Sequence, residues 1–140
     1  MDLTIHVDEA RGWIYVRAWG TVTSGEDIRD AMTGIAHHPH FVPTYSSIFD
    51  LRELEFNTLR SAEIVNLASQ SAFADTARRV LVVRSAAQFG LSRMYQTHRA
   101  INSGDRDPIN VVYTLEEALA WLGIDPEALP PPDGDIAADE

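Results

Sequence analysis

The chain has 140 residues, 45% of them hydrophobic and none of them cysteine, with a formal net charge of −10. That length suits one domain able to bury roughly 68–70% of its unfolded surface, and the absence of thiols excludes disulfides, thiolate metal sites and cysteine catalysis. The excess of acid argues against nucleic acid as a general partner, because phosphate binding needs a basic footprint.

The N-terminal MDLTIHVDEARG has no basic segment followed by an apolar one, and no apolar run approaches the ~18 residues of a membrane span. A cytoplasmic protein without membrane insertion is therefore expected. LTIHVDE (3–9) and WIYVRAWG (13–20) alternate apolar and polar residues around a connector containing Gly12, the pattern of a β-hairpin. Thr23 to Glu26 reads as a capping box, and Ile28, Met32 and Ile35 then repeat at helical spacing until Pro39.

YSSIFDL (45–51) is a short β-rich run containing Asp50. The pattern is irregular from Glu53 to Asn57. A second helix fits about Leu59 to Phe73, with Leu59, Ile64, Leu67, Ala68 and Ser71 inward. RRVLVVR (78–84) holds four continuous apolar residues, the mark of a strand covered on both faces. A third helix fits about Phe89 to Asn102, and INVVYT (109–114) repeats the buried-strand pattern. Thr114 to Glu117 is a second capping box, opening the helix LEEALAWL that stops at Gly123.

The order β-β-α-β-α-β-α-β-α predicts an α/β fold with a single five-stranded mixed sheet, its later strands parallel because crossovers are right-handed. The helices would lie against one face or both. Residues 1–124 form the expected domain. Residues 125–140 are acidic, proline-rich and aperiodic, the composition of a mobile tail.

Several side chains are candidates for chemistry. His37, His38 and His40 could ligate a metal only with further ligands in defined geometry, and no such set can be assigned from spacing, so no metal is expected. Asp50, Arg52, Glu53 and Glu55 fall near the carboxyl end of a strand, where open α/β sheets bind ligands. They could do acid–base work if burial split their pKa values; solvated loop charges are the ordinary outcome. No nucleophile motif and no glycine-rich phosphate loop is present, and Gly90 alone does not make one. Thr58 and Ser61 sit near a helix start, where hydroxyls are ordinarily caps and where a phosphorylated one would also be stabilised.

QFGLSRMYQTHR (88–99) divides into two helical faces. Leu91, Met94, Tyr95, His98 and Ile101 or Asn102 form one, expected to pack on the sheet. Phe89, Arg93 and Gln96 form the other, free for a partner. Around it the charge inverts locally, with six arginines between residues 78 and 106 against Asp105 alone.

Residues 3 to about 123 resemble the STAS superfamily in its SpoIIAA-like branch, the small bacterial domains of STAS/SEC14 type. The likeness is carried by WGTVTSGEDI after the hairpin, by FDLRE, by RRVLVV before FGLSRMYQ, and by the closing VVYTLEEALAWLG. It implies a mixed sheet with four helices, no cofactor, no catalysis, and action through binding. Anti-sigma-factor antagonists of this group carry a phosphorylatable serine in an Asp-Ser pair after the third strand. Here that segment reads DLRELEFNTLRSAE, longer and without the pair, so the resemblance does not bring the kinase switch with it.

These readings converge on a non-enzymatic regulatory or binding module for an unidentified protein or small ligand. Its expected contact surface comprises Asp50, Arg52, Phe89, Gly90 and Arg93, and its exposed aromatic residues would suit a homodimer. The first alternative is a carrier of a small apolar or anionic ligand, as the SEC14 side of the resemblance suggests. It requires an enclosed apolar pocket. A phospho-switched antagonist using Thr58 or Ser61 and an enzyme using Asp50 are the remaining alternatives.

Overall fold

The computed structural model describes residues 1–57, 59–104 and 108–129. Strands β1 (Asp2–Asp8) and β2 (Trp13–Val22) form the expected antiparallel hairpin. Its turn closes on Gly12, whose φ of 75° suits glycine and whose amide donates to the Asp8 carbonyl at 2.8 Å. There follow α1 (Gly25–Ala36), β3 (Ser46–Phe56), α2 (Ser61–Leu67), β4 (Arg79–Val82), α3 (Ala86–Ser103), β5 (Ile109–Val112) and α4 (Leu115–Leu122). The five strands make one mixed sheet in the order β1-β2-β3-β4-β5, antiparallel at the hairpin and parallel thereafter.

Strand alternation sends side chains to two cores. Trp13, Tyr15, Ile48, Val80, Val82 and Val112 pack beneath Ala118 and Leu119 of α4. Ile5, Ile14, Val16 and Phe49 face the other way, toward Ile35 of α1 and Phe73. The helices thus lie on both sides, with α4 alone on one face and α1, α2 and α3 on the other.

Five local expectations need correction. Strand β3 does not end at residue 51 but continues to Phe56, paired with β2 as far as Val22. A β-bulge hides this continuity. Arg17 to Trp19 on β2 opposes Asp50 to Glu53 on β3, which holds one extra residue. The alternation slips by one there, so Leu51 and Leu54, three apart, turn to the same core.

Helix α2 stops at Leu67 rather than Phe73. Its C-cap carbonyl, Ala68, accepts from Arg99 Nη1 and Asn102 Nδ2 at 3.0 Å each, and Ser69 Oγ donates to the Asn66 carbonyl at 2.6 Å. Phe73, released from the helix, enters the core edge-on to Phe41 and Phe49. At α1 the N-cap is Ser24, and Asp27 rather than Glu26 takes the Thr23 amide and hydroxyl. The box at Thr114 stands, its hydroxyl accepting from the Glu117 amide.

The tail boundary at 124 falls too early. Pro126–Ala128 forms a 3-10 turn, and Ala128 and Leu129 pack onto the α4 core. Residues 130–140 lie outside the described residues, as does Thr58.

Helix α3 departs furthest from expectation. Its buried side chains are Gln88, Ser92, Arg99 and Ser103, while Ile101 and Asn102, the alternatives for the end of the packed face, are both exposed, Ile101 at 67%. Gln96, assigned to the free face, donates to the Ile109 carbonyl. The helix is rotated from its hydrophobic pattern rather than inverted, Leu91, Met94, Tyr95 and His98 being only half-buried, because its buried stripe faces backbone carbonyls. Gln88 Nε2 donates to Leu51 O at 3.0 Å and to Leu54 O at 2.7 Å, and Gln88 Oε1 accepts from the Arg84 amide.

Gln88→Ala removes the partner of two buried carbonyls and is expected to cost about 2–3 kcal/mol in urea unfolding. Gln88→Glu, which turns a carboxylate toward the same carbonyls, is expected to cost more at neutral pH. A loss in Gln88→Ala with none in Gln88→Glu would show that filling the space matters and the hydrogen bonds do not.

Candidate functional site

The predicted contact residues do not assemble at one place. Asp50 lies inside β3, on the α4 side of the sheet. It is 5% exposed, and Oδ2 accepts from the Tyr15 hydroxyl at 3.1 Å. Arg52 Nη2 donates to the same oxygen at 2.7 Å and Nε to Oδ1 at 2.9 Å. Beside this group Glu53 pairs with Arg17 at 2.8 Å, and Arg17 lies over Trp19. Burial pushes the Asp50 carboxyl up, but the Arg52 hydrogen bonds and charge outweigh it and hold the group below its usual range. Burial and the adjacent Asp50 charge raise Tyr15 well above the usual phenol. A carboxylate kept ionised with both oxygens engaged, beside a phenol kept protonated, is unsuited to moving protons near neutral pH.

Phe89, Gly90 and Arg93 lie on α3, across the sheet from Asp50. The Phe89 ring stacks on Tyr113 with centroids 5.1 Å apart and planes 3° from parallel, and the Arg93 guanidinium sits 5.9 Å from the Phe89 centroid. Tyr113 is 47% exposed. Space above Gly90 is open, with nothing within 4 Å of where a Cβ would stand. This ledge is a separate surface, and Tyr113, its outer ring, carried no sequence signal beyond ending a strand.

Ser61 is exposed as the first residue of α2, close to Glu63. The Glu63 carboxylate accepts from the Gly25 amide at the start of α1 and from the Arg60 amide at 3.1 Å. Those bonds, that from Gly25 foremost, lower its pKa. Of the three histidines, His40 pairs with Glu9 at 2.7 Å, His38 lies beside His40, and His37 is the C-cap of α1. Among the described residues no three His, Asp or Glu side chains converge as a metal would need. No described helix is long and apolar enough to cross a membrane.

The feature that no motif announced is a cavity of about 570 Å³ between the sheet and α1, α2 and α3. Val16, Ala18, Phe49, Leu51 and Leu81 form its floor. Ile28 and Met32 of α1, Ile64 and Leu67 of α2, and Leu91 of α3 form its roof. Leu91 and Tyr95 therefore do face the sheet as expected, but across a space. Polar contacts hold α3 there at both ends, Gln88 to β3 and Arg99 to α2. Between them Ser92 and Tyr95 line the cavity, with the Tyr95 hydroxyl 3.1 Å from Nη1 of the buried Arg79.

No protein-family model matches the chain, and no curated protein matches it in sequence. Its structure is similar to the crystal structure of an uncharacterized protein from the DUF3478 family of Shewanella loihica PV-4, described as having a SpoIIAA-like fold. The two are 16% identical, with a TM-score of 0.48 over 86% of this chain and 92% of that one.

Because the folded Asp50 pKa is depressed, its stabilisation is complete above the unfolded value of about 3.9 and is lost as pH falls through the lower folded value. Asp50→Asn is expected to lose about 1–2 kcal/mol at pH 7, Arg52 being partly solvated. It is also expected to flatten the acid limb of a stability–pH curve below about pH 4. An unchanged acid limb would exclude Asp50 as its source.

Proposed function

We propose that the chain is a non-enzymatic binding module whose ligand is a small, mainly apolar molecule held between the sheet and α1, α2 and α3. The cavity carries this reading. At about 570 Å³ it lies within the roughly 300–1,000 Å³ of ligand pockets, and its walls are chiefly aliphatic and aromatic with a few polar groups among them. Met1 and Met32 are part of that wall, and methionine adapts to ligands of different outline. The first alternative of the sequence reading, a carrier of a small ligand, is thereby favoured over a protein-contact surface spanning Asp50 and Phe89, which face opposite sides of the sheet.

A protein partner is the second reading, favoured by the exposed Tyr113–Phe89 stack with Arg93 beside it, residue types enriched at interfaces. The two readings separate by mutation. Arg93→Ala is expected to leave small-ligand binding unaltered, and a partner recovered by cross-linking to wild type and lost from this variant would establish the ledge as a second site.

The cavity itself is tested at Ala18, 2% exposed on its floor. Ala18→Leu places new methyl groups into existing space, so stability is expected to rise by about 1–2 kcal/mol, while binding of an apolar fluorescent probe falls at least about tenfold. A packed site would instead lose about 1–3 kcal/mol by overpacking. Destabilisation with probe binding intact would refute the reading.

A further inference from the structure

The cavity has a charge bias opposite to that of the chain. The sequence holds 21 acidic residues against 11 arginines, yet no Asp or Glu is among the described residues lining the cavity, whereas Arg29 and Arg79 are. Arg79 is deep in the wall, 2% exposed, beside the Phe73 and Tyr95 rings. Arg29 is exposed on α1, where its Nη2 donates to Asn66 Oδ1 of α2. It therefore bridges two of the three helices that roof the cavity.

The exposed lining residues mark where the cavity meets solvent. Along α1 and its C-cap these are Arg29, Thr33 and His37, spaced by four and so on one stripe, and after α2 they are Gln70 and Ala72. The acidic residues of α1, Glu26, Asp27 and Asp30, do not line the cavity. Glu63, the acidic residue of α2, is bonded to the Gly25 and Arg60 amides.

We propose that the cavity takes an amphiphile with an acidic head, such as a long-chain carboxylate, its chain on the apolar floor and its head at the mouth against Arg29. This inference rests on the cavity being the ligand site. A carboxylate held at the mouth stays hydrated, whereas one drawn inside would bear a large desolvation cost. A guanidinium is the side chain best shaped to hold it. The head belongs at the Arg29 end of the stripe, because the His37 end is the C-terminus of α1, where the free carbonyls repel an anion.

The test uses the full chain, freed of bound lipid, titrated with dodecanoate and with dodecanol at about pH 8, where a carboxyl is ionised. Dodecanoate is expected to bind about tenfold or more tightly than dodecanol. Arg29→Gln is expected to remove most of that preference without changing dodecanol affinity, and Arg29→Lys to retain part of it. Equal affinity of the two amphiphiles in wild type would overturn the acidic-head inference and leave the apolar site standing. A preference unchanged in Arg29→Gln, or both affinities lowered together, would also overturn the placement of the head. If neither amphiphile binds and Ala18→Leu leaves apolar probe binding unchanged, the site reading fails and this inference with it.

Discussion

Strand β3 outruns its neighbour, and much of the molecule follows from how that is resolved. Strand β4 pairs with β3 only from Ser47 to Asp50 and ends at Val82, while β3 continues to Phe56. Beyond Asp50 the flank of β3 toward β4 has no strand partner among the described residues, and buried carbonyls left there would be costly. Gln88 supplies the donors for Leu51 and Leu54, from the first turn of α3. Arg99 and Asn102 do the same for the end of α2, and Gln96 for Ile109 on the edge strand β5. Helix α3 is thus held by polar arms at several backbone acceptors. A helix held in this way need not bury an apolar stripe against the sheet, and the space over Leu51 and Leu81 is the result.

The same arrangement explains what was legible in the sequence. The hairpin, the two buried parallel strands and α4 with its Thr114 cap and Gly123 stop depend on local alternation, apolar runs and capping chemistry. Those signals sit within a few residues and the structure retains them. The faces of α3 could not be found this way. Hydrophobic periodicity assumes that a helix buries its apolar side, and here Gln88, Ser92, Arg99 and Ser103 are buried by acceptors contributed from 31 to 37 residues away in the chain for the first and third of them. The β3 bulge failed for a related reason. One extra residue shifts the alternation, so FDLREL reads as a strand that stops rather than one that changes phase.

The candidate site divides along the same line. Residue chemistry drew attention to Asp50 and Arg52, and the two do meet, with Tyr15, in a buried network. That network consumes its own hydrogen-bonding capacity and ties β2 to β3 beside the bulge, a structural use of a carboxylate and a guanidinium. The cavity has no such signature. Its floor comes from several strands and its roof from three helices, each contributing ordinary apolar residues that any core would contain. Only their arrangement around a space distinguishes them, and that arrangement is a property of the long-range contacts.

A cavity of this kind links ligand binding to stability. Small side chains stand at its wall, Ala18 on β2 and Ala31 and Ala36 on α1, where larger ones would fill the space and add buried apolar area. The unliganded protein forgoes that burial, and a ligand that occupies the space restores it, stabilising the folded state in proportion to its concentration over Kd. Helices α1 and α2 are joined beside the cavity by the Glu63–Gly25 and Arg29–Asn66 hydrogen bonds. The Arg29–Asn66 pair joins two exposed side chains and contributes little by itself, whereas Glu63 is half-buried against the backbone of Gly25. The two faces of the sheet differ accordingly: the α4 face is closed by Trp13, Ile48, Val80 and Leu119, while the face under α1, α2 and α3 leaves a space between strand and helix side chains.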